Sequence, residues 1–112
     1  MSGQRSRRKG RTGELEACRA LAELTGQDWR RSAAQSQRGG RGVPDVLCDT
    51  APELHVEVKR GKAPSLWAAR EQARGDAVDA VPVVLARRDR DRCVVLVELD
   101  DLYALVDALR RG

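Results

Sequence analysis

Two residues on one alternating stretch, Glu57 and Lys59, offer a carboxylate and an ammonium that can work together. Leu54 to Lys59 alternates apolar and polar residues, the pattern of a strand with one buried face. Leu54, Val56 and Val58 point one way; His55, Glu57 and Lys59 point the other. Asp45 opens the preceding apolar stretch, with eleven residues between it and Glu57. Paired as a hairpin, the two stretches set Asp45 beside Glu57. Two carboxylates on neighbouring strands make a hard oxygen site suited to Mg2+. Phosphodiester cleavage uses such an ion to generate the nucleophilic water and to stabilise charge on the phosphate. A Lys alongside can orient the water or neutralise the developing charge. Each part has a plainer counterpart: Val-Glu-Val-Lys alone is a salt bridge on a strand face, and Pro44-Asp45 alone is a turn signal. Their combination is far more specific. His55, the single histidine, shares the face of Glu57 but has no required task beside Lys59.

The elements that must position these residues follow from periodicity and punctuation. Residues 1–11 read as a flexible basic arm before one domain, 12–112. Thr12 N-caps a helix to about Thr25, with Leu15, Cys18, Leu21 and Ala22 at helical spacing and Gly26 closing it. Trp29 to Ser32 is a short strand, and Ala33 to Gly42 is a Gly-rich, mobile loop. Val43 to Cys48 and Leu54 to Lys59 are strands. Ser65 N-caps a helix from about Leu66 to Val78. Val81 to Ala86 and Cys93 to Glu98 form a hairpin around the charged turn Arg87 to Arg92. Asp100 caps a last helix carrying Leu102, Leu105, Val106 and Leu109 on one stripe. The order α-β-β-β-α-β-β-α predicts an α/β fold, a central mixed β-sheet flanked by helices.

Composition narrows the class. The charged set is 34% of the 112 residues and the hydrophobic set 41%, too polar for a membrane protein and too apolar for a disordered one. No apolar run is long enough to span a bilayer, and the basic N-terminus lacks the apolar region of a signal peptide. Cys18, Cys48 and Cys93 lie far apart without a C-x-x-C pair, which argues against structural zinc or a disulfide framework and fits a reducing cytoplasm. All three suit buried, small apolar positions. Residues 1–41 hold 10 Lys and Arg against 4 Asp and Glu, whereas 42–112 hold 11 against 13. Such asymmetry points to a polyanionic partner, nucleic acid being the commonest. Trp29 and Trp67 read as core or interface anchors.

Pro44-Asp45 followed by Glu57-Val58-Lys59 resembles the PD-(D/E)XK nuclease superfamily. Lys9-Gly10-Arg11-Thr12-Gly13-Glu14 is similar to the Lys-Gly-x-x-x-Glu opening of Holliday junction resolvases of the archaeal and phage type. Arg31-Ser32 before a Gly-rich stretch resembles that family's Arg-Ser loop. The match runs in order from Lys9 to about Val97; the C-terminal helix is less clearly matched. The resemblance implies a restriction-endonuclease-like core. It also implies a catalytic set of Glu14, Asp45, Glu57 and Lys59. Glu14, Asp45, Glu57 and the backbone carbonyl of Val58 would hold Mg2+, with Mn2+ as a possible substitute. Gln72 resembles a supporting Gln of related nucleases. Read from the residues alone, Glu14 is a first-turn helix residue favoured by the helix dipole. Its near neighbour Glu16 should point more to solvent.

The implied partner is branched DNA, a four-way junction. Arg5, Arg7, Arg8, Lys9 and Arg11 would contact phosphates from the arm. Arg30, Arg31, Arg38 and Arg41 flank the Gly-rich loop, Lys62 follows the active strand, and Ser32 and Ser36 can add hydroxyl contacts. Symmetric cuts in a junction need two sites, hence a homodimer, with the C-terminal helix or the strand Val81 to Ala86 as apolar surface. A compact nuclease of this kind suits a phage. The alternatives are a related nuclease acting on flaps, mismatches or a specific site, and a non-catalytic DNA-binding module with the same fold.

Overall fold

The computed structural model describes the backbone of residues 2–32 and 42–111, with side chains from Gly10 onward. The expected loop over 33–41, with Ser36, Arg38 and Arg41, lies outside the described residues, as do the side chains of Arg5, Arg7, Arg8 and Lys9. Helix α1 spans Ser2–Thr25. This corrects the expected arm: the segment before Thr12 continues the helix. It contains no proline, and its Arg, Gln and Lys residues are good helix formers, so nothing there enforces a start at Thr12. The C-terminal end is as expected, with Gly26 at φ 71 and its amide donating to the Ala22 carbonyl.

Five strands follow in sequential order across one sheet: β1 (Arg30–Arg31), β2 (Val46–Leu47), β3 (Leu54–Gly61), β4 (Val81–Arg88) and β5 (Val94–Val97). Neighbours are antiparallel except β3 and β4, which run parallel. Helix α2 (Leu66–Asp76) supplies the crossover that a parallel pair needs. It starts where expected, with Ser65 Oγ accepting from the Ala68 amide, but ends two residues early. Asp79 sits at φ 60 just beyond, a left-handed turn that redirects the chain into β4. Strand β2 is shorter than the expected Val43–Cys48, whereas β3 and β4 are each two residues longer. Pro82 lies inside β4 without harm. The amide of its neighbour Val81 faces β3, where it donates to the Glu53 carbonyl, so position 82 faces β5, whose pairing begins only at Val83. A short 3-10 turn, Leu99–Asp101, precedes α3 (Leu102–Leu109), so the helix begins at Leu102 and Asp100 is not its cap.

The sheet divides two apolar layers. On one face Leu54, Val56, Val83 and Leu85 pack with Ala17, Cys18 and Leu21 of α1, Trp29, and Leu105 and Ala108 of α3. On the other, Val84 and Ala86 pack under Ala69 and Ala73 of α2. Because α2 covers that second face, His55 and Glu57 are buried rather than presented on an open strand surface. The small side chains of Ala69 and Ala73 let α2 sit close to the sheet. Strand β4 is interior, with Val83 to Ala86 buried, so it is not available as the dimer surface expected from its sequence. Cys93 is exposed, unlike Cys18 and Cys48, because it lies in the turn before β5.

Candidate active site

The site grows from the register of two strands. Val46 pairs with Val56 in the antiparallel β2–β3 ladder, which sets Asp45 across from Glu57. The Asp45 amide donates to the Val56 carbonyl at 2.8 Å. Just before the start of β2, the Asp45 carboxylate takes over the ladder, with Oδ2 accepting from the Val58 amide at 2.7 Å. In a strand, the N–H and C=O of one residue project to the same edge, so the Val58 carbonyl faces the Asp45 side as well.

Asp45 is 4% exposed and Glu57 1%. Burial, opposed by the Val58 bond and reinforced by the charge and hydrogen bonding of Glu57 and by the charge of Glu14, pushes the Asp45 carboxyl up to about 7. Glu57 Oε1 lies 2.9 Å from His55 Nε2. Glu57 Oε2 is buried with no N–H or hydroxyl partner among the described residues. Two buried carboxyls in hydrogen-bonding contact, one of them holding its proton to near neutrality, are costly in a metal-free protein. A divalent cation on Asp45, Glu57 and the Val58 carbonyl would take the place of that proton. The residues present therefore fit an oxygen-ligated ion such as Mg2+ or Mn2+.

A stability signature follows for the metal-free protein. A carboxyl whose folded-state pKa is raised above its unfolded value, about 4, favours the folded state fully below that value. The contribution is lost as pH rises through the folded value, here about 7. In chelator, the thermal midpoint should therefore fall between pH 4 and pH 7 or slightly above. Asp45→Asn should flatten that fall; an equally steep profile in the variant would contradict the assignment.

The remaining expected residues are distributed around this pair. Lys59 Nζ donates to Gln72 Oε1 at 3.1 Å, so α2 holds the lysine through the Gln singled out from the sequence. Glu14 accepts from Arg31 Nε at 2.7 Å and is less exposed than its near neighbour on α1, at 12% against 36% for Glu16. Its charge reaches Asp45, but its carboxylate is tied to Arg31. Glu16 is not simply solvated: it pairs with Arg60 at 3.3 Å and Arg87 at 2.9 Å. Among the described residues, the group whose ligand atoms all lie within 4.8 Å of one another is His55, Glu57 and Asp76. Reasoning from sequence gave His55 no task, although its place two residues before Glu57 was the available signal. Asp76, at the end of α2, offered none. Arg11, Arg30 and Lys62 are exposed, Arg30 pairing with Asp49 at 3.0 Å. Ser32 is buried, its amide donating to the Asp45 carbonyl at 3.1 Å, which corrects its expected place on the DNA-facing surface. Trp29 is buried, and Trp67 is 68% exposed with Arg70 over its ring.

The mixed five-stranded sheet between helices, with Asp45 just before β2 and Glu57 on β3, matches a restriction-endonuclease-like fold. Among solved structures, the Holliday junction resolvase Hjc of the archaeal hyperthermophile Archaeoglobus fulgidus shares it, with a TM-score of 0.52 and 22% identity over 75% of this chain and 72% of that one. At this identity the likeness is one of fold. Neither the protein-family models nor the curated protein sequences gave a match. No helix among the described residues is long and apolar enough to cross a membrane.

Proposed function

We propose that this chain is a divalent-metal-dependent endodeoxyribonuclease that resolves four-way DNA junctions. The observation that carries the chemistry is the buried Asp45–Glu57 pair, with Asp45 tied to the Val58 amide and Lys59 two residues beyond Glu57 on the same strand. Asp45, Glu57 and the Val58 carbonyl would hold the ion. When bound, it supplies an activated water and charge neutralisation at the phosphate. Lys59, steadied by Gln72, brings a positive charge to the reacting phosphate. Glu14 and Arg31 form a pair at the margin, where Arg31 can meet a DNA phosphate. Asp45, Glu57 and Lys59 together are more than a DNA-binding module needs.

The fold shared with an archaeal Holliday junction resolvase supports the junction as substrate. Two cuts then need two copies. Val94, Val95, Leu99 and Tyr103 are exposed at 50%, 52%, 83% and 84%, and they give β5 and the start of α3 an apolar surface for a second copy. The test is side-by-side cleavage of a four-way junction, a flap and a linear duplex by wild type and Asp45→Ala, with Mg2+ and with chelator. Junction cleavage should require Mg2+ and vanish in the variant, and light scattering should give the mass of a dimer. Preferential flap cleavage would reassign the substrate, and intact DNA in every arm would sink the enzymatic reading.

A further inference from the structure

We infer that His55 is a positioning residue for Glu57, holding Oε1 so that Oε2 is turned toward the cation. This rests on the reading of Asp45 and Glu57 as the metal pair. His55 and Glu57 alternate on the face of β3 that α2 covers, and their side chains are 5% and 1% exposed. His55 Nε2 and Glu57 Oε1 are 2.9 Å apart. With Glu57 ionised, that bond requires the hydrogen on Nε2, so the imidazole acts as donor. The other oxygen, Oε2, is buried and takes no hydrogen bond from an N–H or hydroxyl group among the described residues. Of the two oxygens, Oε1 is held by His55, and Oε2 is left to the neighbouring Asp45 carboxyl or to a cation in its place.

A carboxylate held at one oxygen by a buried N–H is fixed in rotation, which pre-orients the other oxygen; such partners of a ligand are worth about 10–100-fold in metal affinity. Asp76 approaches the same imidazole from α2 and, with His55 and Glu57, places three ligand atoms within 4.8 Å. That cluster could itself be mistaken for a metal centre. The 2.9 Å bond instead gives the imidazole a hydrogen-bonding role that coordination would abolish.

The experiment is titration of the full chain with Mn2+, followed by electron paramagnetic resonance, including nitrogen hyperfine coupling. Wild type should bind Mn2+ with no directly coordinated imidazole nitrogen. His55→Leu should bind Mn2+ about 10–100-fold more weakly, and excess Mn2+ should restore its cleavage rate. His55→Gln, which keeps an N–H donor, should recover most of the affinity. Unchanged affinity in folded His55→Leu or a directly coordinated nitrogen would each overturn the inference. If the Leu variant does not fold, the nitrogen coupling of wild type and the affinity of His55→Gln decide. Asp45→Asn separates the layers: if it binds Mn2+ as tightly as wild type, the metal-pair reading itself fails, whatever His55 does.

Discussion

Glu57→Gln is expected to abolish metal-dependent cleavage and, at the same time, to make the metal-free protein more stable. Metal activation of water is worth several kcal/mol of barrier, and each 1.4 kcal/mol is about tenfold, so the loss should be about 1,000-fold or more. The gain in stability has a separate origin. Glu57 is 1% exposed and lies against a neighbouring carboxyl raised to about 7. The amide removes one of two carboxyls competing for the same buried space, while its oxygen can still accept from His55. Relief equivalent to one pKa unit is about 1.4 kcal/mol, or roughly 4–8 °C in a domain of this size. Calorimetry in chelator above pH 7, beside a cleavage assay in Mg2+, reads both. A variant that is inactive and less stable would show that Glu57 is structural and that the tension assigned to the pair is absent.

The second large effect concerns how close α1 comes to β3. Gly13 lies against the strand; a Cβ there would sit 3.2 Å from Arg60 Cβ and 3.8 Å from Val58 Cγ1. Gly13→Leu must therefore push the helix off the strand, at about 1–3 kcal/mol. The displacement falls on the next residue, Glu14, and on its 2.7 Å pair with Arg31. Cleavage should drop in Gly13→Leu even at temperatures where the circular dichroism of the folded state is intact. Gly13→Ala is the control. The tight contact opposes a helix-propensity gain of about 1 kcal/mol, so its melting temperature should stay near that of wild type. Full activity in folded Gly13→Leu would remove α1 from any role in placing the site.

Much of this arrangement was legible in the sequence, for identifiable reasons. The alternation of Leu54 to Lys59 and the turn residues before it gave the β2–β3 pairing and the Asp45–Glu57 juxtaposition, because a two-residue period fixes which side chains share a face. Ser65 announced α2 through its own hydroxyl. What was not legible depended on packing. Nothing local in His55 or Glu57 says that α2 will close over them; that follows from the small side chains of Ala69 and Ala73, twelve or more residues away. The helical backbone before Thr12 was hidden because Thr12 is a good cap in isolation and a tolerated residue inside a longer helix. The burial of Val81 to Ala86 was misassigned to a dimer surface because an apolar run reads alike in an interior strand and at an interface.

Strand β2 is two residues long, while β3 is eight residues long and paired on both sides. The two carboxylates thus belong to segments of unequal local stability. Amides in β3 and β4 sit in the slowest-exchanging part of such a sheet, whereas a two-residue ladder can open without the rest of the domain. Any ion held jointly by Asp45 and Glu57 ties the labile segment to the durable one. Its binding free energy then adds directly to the cost of opening β2. Loading the site and ordering the strand that delivers Asp45 become one equilibrium.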